Sequence, residues 1–229
     1  MSAKKRVKKA PARQADKTIQ YVGAAIVLIV VAVFLWKFVP WESFASNTEP
    51  ASSSEGVAGQ PKQYDAAPPM AIDANKKYFA AVEMEKGGEF VVELYADKAP
   101  ITVNSFVFLA REGFFNGVTF HRVLDGFMAQ GGDPTGTGSG GPGYQFVNED
   151  SGLLFDKAGV VAMANAGLDT NGSQFFITFA AADFLNGGYT IFGQVVAGMD
   201  VVNGITRRDP NANPNFTGDV IKSITITEE

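Results

Sequence analysis

The residues able to do chemistry are few, and they gather in one stretch, Phe120 to Asp133, reading FHRVLDGFMAQGGD. It carries the chain's single histidine, His121, and beside it Arg122, a cation in a run that is otherwise mostly apolar. Two short strand-like pieces, Val118 to Val123 and Phe127 to Gln130, flank Asp125-Gly126, a dipeptide suited to a tight turn. Folded as a hairpin, they turn Arg122 and Gln130 to the same side of adjacent strands, with Phe127 and Met128 as an apolar wall beside them. A fixed five-donor guanidinium next to a greasy pocket suits a ligand that has both an apolar ring and a carbonyl. Each residue also has an ordinary reading: Arg122 as an ion-pair partner, His121 as a structural imidazole hydrogen-bonded inside the fold, the aromatics as core.

Composition removes other chemistries. The chain has no cysteine, which excludes disulfides, thiolate nucleophiles and cysteine-based zinc sites, and one histidine excludes a His-Glu-x-x-His centre. Charge is uneven: residues 1 to 18 hold seven Lys or Arg against one acid, while residues 71 to 229 hold ten basic against nineteen acidic groups. The acidic body is unsuited to nucleic acid, which needs a basic surface. With 46% hydrophobic residues in 229, there is material for a real core.

The elements that must position Arg122 are short and β-rich. Tyr78 to Glu85 and Glu89 to Leu94 flank Lys86-Gly87-Gly88 and predict a hairpin. Val103, Phe106, Val107 and Ala110 recur at helical spacing, which predicts a helix over Val103 to Glu112, N-capped by Thr102 and stopped by Gly113. Gly131 to Gly143, GGDPTGTGSGGPG, lacks the Gly-Lys-Ser/Thr ending of a phosphate loop and reads as a turn-rich surface loop. Val160 to Ala164, Gln174 to Phe179, Thr190 to Val196 and Val220 to Thr227 read as further strands, and Met199 to Thr206 as a short helix. Arg207-Arg208 reads as a solvated turn. Many short strands without βαβ alternation indicate a barrel or sandwich.

Upstream lies a different texture. Residues 1 to 18 form a basic tail, and Ile19 to Val39 follow with an apolar run from Tyr21 to Trp36. As helix, those sixteen apolar residues reach ~24 Å and the full twenty-one ~31 Å, about a bilayer core. Lys37 can snorkel, and Tyr21, Trp36 and Trp41 sit where interfacial aromatics belong. Residues 19–41 therefore read as a transmembrane helix, with the N-terminus cytoplasmic and the rest outside. A cleaved signal peptide ending near Ser43-Phe44-Ala45, which would release a secreted protein, is the alternative. Residues 42–70, rich in Ser, Ala, Pro and Gly, read as a flexible tether to a domain at 71–229.

Four segments, FHRVLDGFMAQGGD, VVAMANAG at Val160 to Gly167, NGSQFFIT at Asn171 to Thr178 and IFGQVVAGMDVV at Ile191 to Val202, together resemble the cyclophilin family of peptidyl-prolyl cis-trans isomerases over about residues 77 to 227. The resemblance implies a mainly β fold, a closed eight-stranded antiparallel barrel capped by two helices, with a groove for proline-containing polypeptides on its outer face. It implies Arg122 as the catalytic residue, Phe127, Met128, Phe176 and Leu185 as the floor under the proline ring, and Gln130 steadying the arginine. It further assigns Ala164 and Asn165 to a strand that pairs with the peptide, Gln174 to the groove, and Gly138 to a groove glycine in a shortened loop. Two positions depart from the family pattern: Phe184 stands where tryptophan is frequent and Tyr189 where histidine is. Without an indole N–H, cyclosporin binding is expected to be weakened.

The chemistry needs no cofactor and no metal. Rotation about an X-Pro bond breaks amide resonance, a barrier of ~18–20 kcal/mol, and no covalent bond changes. In the twisted state the prolyl nitrogen becomes pyramidal and basic, so a donor aimed there stabilises it more than the planar forms. The expected function is prolyl isomerisation outside the cytoplasm; the alternative is a proline-peptide-binding scaffold or chaperone module with incidental turnover.

Overall fold

The computed structural model describes residues 62–229. Ten elements follow one another in this span: β1 (Tyr78–Met84), β2 (Glu89–Leu94), α1 (Pro100–Arg111), β3 (Arg122–Leu124), β4 (Met128–Gly131), β5 (Val160–Met163), β6 (Phe175–Thr178), β7 (Ile191–Ala197), α2 (Met199–Asn203) and β8 (Ile221–Glu228). Short 3-10 turns at Asp183–Leu185 and Pro210–Ala212 complete it. The proposed membrane span and the first part of the tether lie outside the described residues. Among the described residues, no helix is long and apolar enough to cross a membrane.

The strands form one sheet in the order β3-β4-β6-β5-β7-β2-β1-β8, with each ladder antiparallel. The expected closed barrel is corrected here: the sheet is open, with β3 and β8 as its edges. Closure fails as a ladder because the chain ahead of β3 is not strand. Val118–His121, expected to begin the strand, makes only isolated bridges, Thr119 to Asp133 and Thr119 to Val220. Its bonds to the start of β8, Phe120 N–H to Asp219 O at 2.9 Å and Ile221 N–H to Val118 O at 2.8 Å, are those of the Thr119 bridge and extend into no ladder.

The β1/β2 hairpin forms where expected, paired from Tyr78↔Leu94 to Glu83↔Glu89. Gly87 and Gly88 both take φ near +90° in its turn, a conformation that side chains strain to reach. Alternation buries Tyr78, Ala80, Val82 and Met84 on one face of β1. Most of the other expected strands shift by a residue at their ends, and α2 stops at Asn203 rather than Thr206.

Helix α1 departs from expectation at its start. It begins at Pro100, with Ala99 rather than Thr102 at the N-cap position and no side-chain cap of its own. Proline suits the first helical position because its missing N–H would have no partner there. The orphan donors are met from far along the chain: the Glu149 carboxylate accepts from Ile101 N–H at 2.9 Å, Thr102 N–H at 2.8 Å and the Thr102 hydroxyl at 2.7 Å. The C-terminus ends at Gly113 as expected. Gly113 has φ +66°, its N–H bonds to Ala110 O at 2.9 Å, and Phe114 N–H bonds to Leu109 O at 2.9 Å.

Behind the sheet, α1 inserts Phe106 among Phe115, Phe175 and Phe192, with ring centroids 5.1, 5.6 and 5.3 Å away. A second, smaller apolar cluster joins Met128, Phe155, Val160, Ala162, Phe176, Ala182 and Ile191. That cluster lies under the candidate site.

Candidate functional site

Arg122 opens β3 and Gln130 lies on β4 as its register partner, so the Asp125-Gly126 turn brings both side chains to one face. Gly126 takes φ +65°, and Phe127 N–H closes the turn on Leu124 O at 3.1 Å. Arg122 Nη1 donates to Gln130 Oε1 at 3.3 Å, and Gln130 Nε2 donates to Gln174 Oε1 at 2.9 Å. The Gln174 amide continues to Gly138 O at 3.0 Å and Gly140 O at 2.9 Å. A chain of amides therefore orients the guanidinium without neutralising it. Arg122 takes part in no ion pair among the described residues.

Beside it lies a small cavity of about 160 Å³ lined by Arg122, Phe127, Met128, Gln130, Ala164, Asn165, Phe176, Leu185 and Tyr189. This is below the ~300 Å³ at which drug-sized pockets begin, and gives room for one small ring. Its floor is rigid: Phe176 stacks on Phe155 at 5.7 Å and meets the edge of Tyr189 at 5.4 Å. A larger cavity of about 940 Å³ adjoins it and shares Gln130, Ala164 and Asn165. Gln174 and Gly138 line this second cavity rather than the first. Phe184 lines neither; it is 76% exposed and lies against Phe127 with centroids 5.4 Å apart, as a rim. Ala164 and Asn165 follow the end of β5, and the Ala164 N–H is engaged by Gln174 O at 2.9 Å.

The Gly-rich loop is more than surface connection. Its residues from Gly138 to Gly143 wall the larger cavity, and they are hung on Asp133, which is fully buried. Asp133 accepts from Thr135 N–H at 2.7 Å, Gly138 N–H at 2.6 Å and Gly140 N–H at 3.1 Å. Burial alone would raise its pKa, but the Thr135 hydroxyl and these N–H groups outweigh it and hold the carboxyl below the usual range. Gly140 is required for this closeness, since a Cβ there would stand 2.1 Å from Asp133 Oδ1.

His121 is buried and lines neither cavity. Its expected hydrogen bonding is corrected: neither ring nitrogen has a partner among the described residues. Burial, with the nearby Arg208 and Arg122, lowers its pKa against the pull of Asp133. Arg207 and Arg208 are also more than a solvated turn. The backbones of Arg208 and Val123 exchange hydrogen bonds of 2.7 and 2.8 Å, and the Arg208 side chain donates to His121 O and to Phe216 O. Arg207 pairs with Asp125 at 2.9 Å and covers the Phe179 ring at 4.2 Å. Both brace the hairpin that carries Arg122. Gln63, Thr135, Tyr144 and Ser173, in the lining of the larger cavity, carry no local sequence signal.

The sequence model of the family described as cyclophilin type peptidyl-prolyl cis-trans isomerase/CLD matches residues 79–227. The chain is similar to peptidyl-prolyl cis-trans isomerase-like 1 of Mus musculus, 50% identical over 137 residues, covering 58% of this chain and 82% of that protein. It is also similar to peptidyl-prolyl cis-trans isomerase ppi1 of Schizosaccharomyces pombe, 46% identical over 154 residues, covering 64% of this chain and 99% of that one. Among solved structures, a cyclophilin type isomerase of Cryptosporidium parvum superposes with a TM-score of 0.59 at 33% identity, covering 67% of this chain and 99% of its own. A second structure of that protein, in the presence of the dipeptide Ala-Pro, gives 0.59 at 32%, covering 66% of this chain and 99% of its own.

Proposed function

Because the chain belongs to the cyclophilin-type peptidyl-prolyl cis-trans isomerase family and is an isomerase of that class, we propose that Arg122 speeds rotation by donating to the prolyl nitrogen as the amide twists. The proline ring of a polypeptide substrate sits on Phe127, Met128, Phe176 and Leu185, with Tyr189 closing one side. One observation carries the reading: Arg122 is held by Gln130 at the lip of an apolar cavity and has no carboxylate partner among the described residues.

In the planar ground state the prolyl nitrogen shares its lone pair with the carbonyl and accepts poorly. As the bond rotates, the lone pair localises and a pre-oriented donor gains strength. The gain arises only near the barrier top, so it raises turnover rather than ground-state binding. No proton is transferred and no bond to the protein forms.

The test is cis-trans exchange of a proline peptide by the full-length protein. Arg122→Ala should lower kcat/KM by ~10²–10³, the effect of removing one transition-state donor elsewhere. Turnover within twofold of wild type, in a variant with an unchanged melting curve, would remove Arg122 from the mechanism.

The proposal extends to location: Ile19 to Trp41 crosses a bilayer once, with the domain on the outer side acting on exported proteins as they fold. Its support is the apolar run and the basic leader in the sequence. The full chain should stay with membranes through alkaline carbonate and be open to external protease; release, with loss of the first 45 residues, would mark the secreted form. Phe184 supplies an apolar rim without an indole N–H, so cyclosporin should bind weakly in a calorimetric titration.

A further inference from the structure

The family match begins at residue 79, yet the larger cavity takes part of its wall from upstream of that point, at Gln63. The sequence assigns this stretch to the tether, but from residue 62 it lies along the domain as a strap. Asn104 on α1 donates to Pro68 O at 3.4 Å and Pro69 O at 3.1 Å and accepts from Ala71 N–H at 2.8 Å. Tyr64 packs edge-on to Phe108 at 5.0 Å, and its N–H bonds to Pro142 O at 2.8 Å. Gln63 Nε2 then donates to Gly141 O at 2.8 Å and Lys62 O at 3.0 Å, which spends both amide hydrogens and leaves Oε1. The receiving loop is cut to fit: a Cβ on Gly143 would stand 2.5 Å from Tyr64 O and 3.1 Å from Gln63 Oε1.

The lining of this cavity contains no charged side chain; its polar groups are amides and hydroxyls, among them Gln63, Gln145, Thr135 and Ser173. A charged side chain entering it would lose water without gaining a counter-ion, whereas a neutral hydrogen-bonding side chain finds partners. The two cavities share Gln130, Ala164 and Asn165, so a peptide with its proline in the small one reaches the large one with a flanking residue.

We propose that Gln63 is a specificity-determining residue: the strap carries it into the groove, where it helps select proline peptides with a neutral hydrogen-bonding side chain, such as Ser or Asn, beside the X-Pro unit. This rests on the groove being the isomerase site. It gives the tether a second task, since the segment that links the domain to what precedes it also walls the substrate site.

The test measures kcat/KM of the full-length protein on peptides carrying Ser, Glu or Lys at positions flanking X-Pro, beside a minimal Ala-Pro substrate that fills only the small cavity. Wild type should prefer Ser. Gln63 is exposed, so replacement leaves the fold intact. Gln63→Glu should raise the Lys-to-Glu preference roughly threefold or more, and Gln63→Lys should lower it by a similar factor, as expected for charges several ångströms apart in partly wet surroundings. Each variant's rates are taken relative to its own turnover of the minimal substrate, which cancels any change common to all peptides. A Lys-to-Glu ratio unmoved by either variant, or equal wild-type rates on all three peptides, overturns the inference while leaving the isomerase reading intact. A wild-type protein inactive on every peptide overturns both.

Discussion

Arg122 and Gln130 face each other as register partners on β3 and β4, and Arg122 Nη1 rests 3.3 Å from Gln130 Oε1. The contact is a neutral amide orienting a cation, so it aims the guanidinium while leaving its charge for the substrate. Lysine can replace the charge but not the planar fork. Arg122→Lys should therefore recover only part of the ~10²–10³ loss in kcat/KM expected of Arg122→Ala. Gln130→Ala should lose about tenfold, mostly in kcat, because the donor remains but is no longer held. Peptide exchange kinetics on the three variants gives the ranking; equal rates for Lys and Arg at residue 122 would contradict it.

Asp133 holds the Gly-rich loop through three N–H groups and the Thr135 hydroxyl. Asp133→Asn weakens acceptors that are fully buried, and should destabilise the protein by about 2–4 kcal/mol in urea unfolding. Its folded pKa lies below the ordinary 3.8. The carboxylate's contribution is thus complete above that value and is lost as pH falls through the folded value. The variant should lack this acid-side decline.

His121 predicts a second pH effect at milder acidity. Its folded pKa lies below the ordinary 6.5, set first by burial, with Arg208 and Arg122 adding to it and Asp133 opposing. Between those two values the unfolded chain binds the proton and the folded one does not, so stability is full above about 6.5 and declines as pH falls through that window. Urea midpoints at pH 7.5, 6.0 and 5.0 should show the decline in wild type and a flatter profile in His121→Gln.

Glu149 caps α1 from 47 residues beyond Thr102, through both oxygens. Glu149→Ala should lower stability by about 1–2 kcal/mol, while Thr102→Ala, which keeps the backbone bonds, should lower it by less. Thermal melts of the two variants test this; a larger loss at Thr102 would return the cap to the position expected from sequence.

The β1/β2 hairpin, the helical spacing of Val103, Phe106, Val107 and Ala110, the stop at Gly113 and the Asp125-Gly126 turn were all legible in the chain, because each depends on neighbours within a few residues. The small cavity follows from them in part: with Leu124 paired to Met128 across the three residues Asp125 to Phe127, strand alternation puts Arg122 and Gln130 on one face, whereas a loop one residue shorter would part them. Phe176 reaches that face by its pairing with Gln130, Leu185 and Tyr189 by the 3-10 turn and loop between β6 and β7, and only the resemblance of whole motifs named them in advance. The sheet's open edge, Glu149 at the end of α1, Arg208 behind β3 and Gln63 in the larger cavity left no local trace. Each is a contact between segments far apart in sequence, chosen by which buried donors and carbonyls remained unmet once the core had packed, and spacing along a chain holds no record of that choice.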